Sequence, residues 1–253
     1  MLQKKNGLIV MNPAYEPRKE FIEYARTVSE SACRVVVIND GSGREYDEIF
    51  DEIAKIDNVT YLKHEVNRGK GSALKTGLQY CVSELEPESV IVTADCDGQH
   101  APEDVVKVYE AALSHKDCLI LGSRNFELGN IPPKSQMGNT MFRKAYRFFY
   151  GLNIYDTQTG LRGFTVSLAE ELLLVRGDRF EYEMSVLIYA KKNRIEILEV
   201  PIQTIYPEDP KDHVTHYRPI KDSLEIFGVV LKNLRTPKKR VRRSDRKKAK
   251  GDR

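Results

Sequence analysis

Two aspartates stand two residues apart in the run Asp95-Cys96-Asp97-Gly98-Gln99-His100. They follow the apolar stretch Ser89–Thr93, and carboxylates placed there can meet on one divalent cation. Hard oxygen donors suit Mg2+ or Mn2+, ions that also bridge a diphosphate. Taken alone, the tripeptide reads more simply as a charged turn before a helix opening at Pro102. Its place in an ordered series of polar clusters, each closing an apolar run, favours the metal reading.

Asn39-Asp40-Gly41-Ser42 closes the β-branched run Arg34–Ile38. Asp40 can accept hydrogen bonds from a base or a ribose, and the same four residues also make an ordinary Asp-Gly turn. Asn67-Arg68-Gly69-Lys70-Gly71 opens a helix. Glycines there permit close backbone approach, and a helix N-terminus favours anions. The GxxxxGK[ST] spacing of a P-loop ATPase is absent, as is the GxGxxG of a dinucleotide fold.

These clusters need elements to hold them. Leu8–Met11, Arg34–Ile38, Val59–Leu62, Ser89–Thr93 and Cys118–Leu121 read as strands. Arg18–Ser31, Glu45–Ile56, Gly71–Leu85 and Pro102–Leu113 carry helical apolar spacing between them. Alternation of nearly continuous apolar strands with helices predicts an α/β fold, a mostly parallel sheet with helices on both faces. Ligands of such sheets bind beyond the carboxyl ends of the strands, where all the polar clusters fall. After residue 125 the pattern changes. Residues 134–150 read as a basic, aromatic helix and Asp156–Phe164 as a turn-rich segment. Ser167–Val175 and Tyr182–Lys192 read as helices, and Ile195–Val200 and Ile202–Tyr206 as two strands around Pro201.

The 253 residues are 41% apolar and 30% charged, enough for a packed core and against wholesale disorder. No apolar run approaches the roughly 20 residues of a membrane span, and no secretory leader is expected. Four dispersed cysteines without CxxC point to a reduced, cytoplasmic protein, with no zinc pattern. Residues 237–253 hold ten Lys/Arg against two Asp, so a net +3 chain divides into a basic arm and a mildly acidic remainder. No specific nucleic-acid partner is expected, because the rest of the chain offers no basic stripe to extend that arm.

The ordered set Pro13-Ala14-Tyr15-Glu16, Asn39–Ser42, Asn67–Ala73, Asp95–His100 and Gly122-Ser123-Arg124 resembles the family-2 glycosyltransferases of GT-A fold, and most of all the dolichyl- or polyprenyl-phosphate sugar synthases. The resemblance covers roughly residues 7–206. It implies that Pro13, Tyr15, Glu16 and Asp40 hold the base and ribose of a nucleotide-sugar, with Lys70 and Gly71 beside them. Asp95, Asp97 and Gln99 would surround Mg2+ or Mn2+ and the donor diphosphate. Arg124 would sit near the acceptor or diphosphate, and Asp156 and Arg162 near the reacting centre. Cys96 stands where the family carries a small alanine. The chain has no Trp and lacks the Gln-x-x-Arg-Trp motif of processive synthases, which disfavours polymerisation.

The family transfers sugar with inversion. A hydroxyl acceptor would need a general base, for which Asp156, Glu181 and Glu183 are candidates. A polyprenyl phosphate is already anionic and needs cations instead. Lys134, Arg143, Lys144 and Arg147, interleaved with Met137, Met141, Phe142, Phe148 and Phe149, suit such an acceptor, though a solvated amphipathic helix would look alike. Lys134, Arg143, Arg124 and Arg162 are the expected acceptor-phosphate residues. His216 and Arg218, after the polar loop Pro207–Thr215, would reach the donor diphosphate.

The expected organisation is a GT-A domain over 1–206, with a nucleotide-sugar half to 124 and an acceptor half from 125. A loop and amphipathic helix to 236 and a basic, disordered tail over 237–253 follow. The helix Ile220–Leu234 and the tail could lie on an anionic membrane at its cytoplasmic face. Other readings are a transferase acting on a saccharide or other hydroxyl, and a non-catalytic nucleotide-binding adaptor.

Overall fold

The computed structural model describes residues 3–124, 133–203 and 228. The expected strand end at Gln203–Tyr206 falls mostly outside them. The loop Pro207–Thr215, His216, Arg218 and the basic tail lie wholly outside, as does the helix Ile220–Leu234 apart from Gly228.

Seven strands form one sheet: β1 (Lys5–Ala14), β2 (Ala32–Asn39), β3 (Val59–Lys63), β4 (Val90–Thr93), β5 (Leu119–Arg124), β6 (Arg162–Thr165) and β7 (Ile197–Ile202). Their spatial order is β3-β2-β1-β4-β6-β5-β7. All pairings are parallel except those of β6, which runs antiparallel to both β4 and β5. The helices are α1 (Glu20–Ser31), α2 (Asp47–Ala54), α3 (Lys70–Glu84), α4 (Pro102–Ser114), α5 (Pro133–Tyr150), α6 (Val166–Leu172) and α7 (Glu181–Lys192).

The strands alternate strictly between two apolar layers. Ile9, Met11, Val36, Ile38, Ile91, Leu119 and Leu121 face the layer that contains α3 and α5 to α7. Leu8, Val10, Val35, Val37, Val90, Val92 and Ile120 face the layer of α1, α2 and α4. Both faces are therefore covered, which is why these strands read as unbroken apolar runs. Each such side chain contributes about 1.5–3 kcal/mol on burial.

Two sequence expectations need correction. Arg162-Gly163-Phe164-Thr165, read as part of a turn-rich segment, is strand β6, pairing Thr93 with Arg162 and Ile91 with Phe164. Pro201, read as a break between the strands Ile195–Val200 and Ile202–Tyr206, lies inside β7, and residues 204–206 of the second expected strand fall outside the described residues. Among the described residues β7 is an edge strand bonded only to β5, so a missing N–H on its outer side costs no ladder hydrogen bond there.

Candidate active site

The carboxyl ends of β1, β2, β4 and β5 meet at one edge. Asp40 N–H donates to Ala14 O and Ala94 N–H to Met11 O, so the polar clusters after β2 and β4 flank the end of β1. Because β6 is antiparallel, it starts at this edge, and the preceding Asp156–Leu161 turn is delivered there. Thr93 Oγ1 donates to Gly160 O at 2.7 Å, locking that turn over the end of β4.

Asp95 lies directly on Gly160: a Cβ at that glycine would overlap the Asp95 carboxylate. Only a glycine leaves this room. Asp95 Oδ1 is 2.7 Å from Lys70 Nζ, and the same ammonium is 2.8 Å from Glu183 Oε2. Burial penalises the lysine's charge, but the two carboxylates outweigh it and raise its pKa above the ordinary value. Burial alone would raise the Asp95 carboxyl too, yet Lys70 and His100 hold it well below the usual carboxylate range. Asp97 behaves in the opposite way. Its side chain reaches solvent, but the protein packed around it and the Asp95 charge raise its carboxyl. Its Oδ1 accepts the Gln99 backbone N–H at 3.1 Å. The Cys96 thiol between them is pushed up to about 12 by burial and by both aspartates.

Two carboxylates of like charge beside each other make a site that a divalent cation would relieve, and oxygen donors fit Mg2+ or Mn2+. Among the described residues no three His, Cys, Asp or Glu side chains already converge as a metal cage. Asp95 and Asp97 would hold the ion. Gln99 sits on the same turn, half-buried, where its backbone rather than its amide is engaged with Asp97.

The glycine loop packs against protein rather than lying open. A Cβ on Gly71 would come within 2.6 Å of Tyr182 Cβ and 2.8 Å of the Asp178 carbonyl carbon. Ser72 N–H donates to Asp178 O at 2.9 Å. This close approach brings the start of α7 to the start of α3 and sets Glu183 against Lys70. It also separates the two adjacent acids. Glu181 Oε1 accepts the N–H groups of Asp178 and Arg179 and caps its own turn, whereas Glu183 enters the site.

Asp40 is buried, and its carboxylate accepts the N–H groups of Arg68 at 3.0 Å and Gly69 at 2.8 Å. Its Oδ1 also lies 2.7 Å from His64 Nδ1, and His64 Nε2 lies 2.9 Å from Thr76 Oγ1. Asp40 thus anchors the loop that carries Lys70. On the neighbouring loop Ser42 Oγ accepts the Glu16 N–H at 2.9 Å, fixing the turn of Tyr15 and Glu16. Pro13 is buried inside β1 opposite Ile38.

Arg124 at the end of β5 grips Asp156 through two bonds, Nε to Oδ2 at 2.6 Å and Nη2 to Oδ1 at 3.0 Å. Asp156 is fully buried. Glu199 of β7 accepts the N–H groups of Tyr155 and Asp156 at 2.9 Å, and Asn139 of α5 accepts that of Thr157 at 3.0 Å. Arg162 is buried behind Glu183, donating to Thr159 O at 3.0 Å and Glu183 O at 2.7 Å. Its guanidinium holds these two segments together. Arg143 stacks over the Tyr155 ring at 4.5 Å. Lys134 belongs to α5, but its side chain lies outside the described residues.

A cation-bearing glycine loop, paired carboxylates after a central parallel strand and an arginine–aspartate clamp one strand over now stand at one sheet edge. The sequence profile of Glycosyl transferase family 2 matches residues 13–173. The chain belongs to glycosyl transferase family 2. This glycosyltransferase is 34% identical over 217 residues to the UDP-N-acetylglucosamine–dolichyl-phosphate N-acetylglucosaminyltransferase of Methanococcus voltae, covering 78% of this chain and 84% of that one. It is 27% identical over 203 residues to the polyprenol monophosphomannose synthase of Mycolicibacterium smegmatis, covering 77% and 76%. Its fold is GT-A. The glucosyl-3-phosphoglycerate synthase of Mycobacterium tuberculosis, crystallised with Mn2+, UDP and its product, superposes with a TM-score of 0.66 over 91% of this chain and 80% of that one, at 15% identity.

The family 2 enzyme therefore brings Asp95 and Glu183 together on Lys70, with Asp97 on the same turn as Asp95, and joins Arg124 and Asp156 to them through the Asp156–Leu161 turn. His64, Asn139 and Glu199, which fix the loops, carried no motif in the sequence. Only the position of His64 directly after β3 marked it as a residue of this edge.

Proposed function

We propose that this glycosyltransferase moves one sugar from a UDP- or GDP-sugar to a polyprenyl phosphate, with inversion at the anomeric carbon. One observation carries the choice of acceptor. The two base candidates inside the site are already engaged by cations: Glu183 by Lys70 and Asp156 by Arg124. A carboxylate oxygen held by a cation is not placed against a substrate hydroxyl, and a phosphate monoester, already ionised, asks for no base. The names of the Methanococcus and Mycolicibacterium relatives, which print dolichyl phosphate and polyprenol phosphate, support the same acceptor.

In the proposed reaction an acceptor phosphate oxygen attacks the anomeric carbon from the face opposite the nucleotide. The bond from that carbon to the diphosphate oxygen breaks, and the nucleoside diphosphate leaves with the electron pair. A divalent ion held by Asp95 and Asp97 would supply charge neutralisation at the diphosphate; the Mn2+ and UDP of the Mycobacterium structure support that part. Lys70 adds a positive charge on the same side, and preorganised cations are most effective where charge develops. Arg124, held by Asp156 at the end of β5, would bring positive charge near an acceptor or diphosphate.

A lipid acceptor implies work at a membrane surface. On α5 Met141 and Phe148 are 47% and 82% exposed, and Lys144 and Arg147 are exposed beside them. That mixture supports peripheral contact with an anionic bilayer. Transfer of labelled sugar to polyprenyl phosphate, but not to polyprenol or to a saccharide, is the expected result with the purified chain. Transfer to hydroxyl acceptors alone contradicts the reading.

A further inference from the structure

His100 has entered so far only as a neighbour of Asp95. Its side chain is 7% exposed, and neither ring nitrogen has a hydrogen-bond partner in the protein. An imidazole buried without partners is costly unless a ligand satisfies it. The ring is aimed at the proposed cation site. Its Nε2 lies 3.6 Å from Asp95 Oδ2, while the other oxygen, Oδ1, is engaged by Lys70. That separation is too long for a hydrogen bond. Two neighbouring donors bound about 2.1–2.2 Å from one cation stand roughly 3.0–3.5 Å apart, close to what is seen.

We infer that His100 is a nitrogen ligand of the cation held by Asp95 and Asp97, and that it makes this site prefer Mn2+ to Mg2+. The inference rests on the metal reading of the two aspartates. Asp95 and His100 are already in place, and the exposed Asp97, tethered at its Oδ1 by the Gln99 N–H, turns in to complete the set. Mg2+ demands oxygen donors in strict octahedral geometry, whereas imidazole nitrogen suits transition ions. One nitrogen among oxygens therefore discriminates between two ions of similar charge and size. The position of His100 supports a fixed ligand, since it immediately precedes Ala101 and the first turn of α4, the helix that begins at Pro102.

The test uses the full chain with Mn2+, first alone and then with UDP or GDP, read by pulsed electron paramagnetic resonance. Directly bonded imidazole gives nitrogen modulation that oxygen ligands do not. The expected result is modulation in the wild-type chain and in His216→Gln, and none in His100→Gln. Outer-shell substitutions alone weaken metal affinity by about 10–100-fold, so His100→Gln weakens Mn2+ by at least 10-fold while Mg2+ changes little. His100→Asp keeps a ligand without nitrogen: it restores cation binding, silences the modulation and narrows the Mn2+/Mg2+ ratio. That restoration separates ligand loss from misfolding. Mn2+ bound to the wild-type chain without nitrogen modulation, or modulation persisting in His100→Gln, overturns the role of His100 and leaves the aspartates as ligands. That first outcome is also the result expected if the imidazole instead donates its N–H to the diphosphate. No Mn2+ uptake with or without nucleotide overturns both.

Discussion

Lys70 Nζ stands 2.7 Å from Asp95 Oδ1, so the glycine loop and the aspartate turn meet through one ion pair. Glu183 shares the same ammonium. Lys70→Met leaves two largely buried carboxylates without it, a change that costs about 3 kcal/mol when a buried pair is broken. Denaturant unfolding should show that loss. With the internal cation gone, Mn2+ alone binds more tightly while Mn2+ with UDP or GDP binds more weakly, both readable by titration calorimetry. Unchanged nucleotide affinity would remove Lys70 from the donor site.

The Arg124–Asp156 clamp makes a second, separable prediction. Asp156→Asn should lower stability by about 3–5 kcal/mol, because it breaks a largely buried ion pair by removing one of its charges. The double replacement Arg124→Met with Asp156→Leu recovers much of that stability, since apolar pairs often substitute for buried ion pairs. It does not recover transfer. Recovery of activity in the double variant would show that Arg124 only props the turn.

Gly71→Ala drives a methyl into Tyr182 and the Asp178 peptide. Overpacking of this kind costs about 1–3 kcal/mol. Because the same contact sets Glu183 against Lys70, the KM for donor should rise as well. A variant of wild-type stability and KM would mean that α7 can move away freely.

Glu183→Gln distinguishes the acceptor classes. If Glu183 were a general base for a hydroxyl, its loss would cost about 10²–10⁴ in rate. With a phosphate acceptor the expected loss is under 10-fold, and the shape of the pH profile of kcat is unchanged. A loss of 10²-fold or more with polyprenyl phosphate contradicts the base-free reading.

Most of this architecture was legible because strands buried on both faces leave unbroken apolar runs, such as Arg34–Ile38, and the polar residues after them mark the sheet edge. β6 was not legible. Arg162-Gly163-Phe164-Thr165 is only four residues long and contains a glycine after an arginine, and it is extended because β4 and β5 both bond to it. Pro201 looked like a strand break, but an edge position tolerates it. In the site, the motif residues Asp95, Asp97 and Lys70 could be chosen by type and spacing. The partners of those residues could not. Glycine tolerance at 71 and 160 reflects Tyr182 and Asp95, contacts made by segments about 110 and 65 residues away in sequence, whose approach only the folded chain defines.

The proposed sugar transfer to a lipid phosphate depends on a cation held by Asp95 and Asp97. The most direct measurement is formation of labelled polyprenyl-phosphate sugar from UDP- and GDP-sugars, with Mn2+ or with chelator, by the wild-type chain and by Asp97→Ala. Product is expected with one of the donors in the presence of Mn2+, lost with chelator and reduced at least 100-fold in Asp97→Ala. Full product formation by Asp97→Ala, or in chelator, would contradict it.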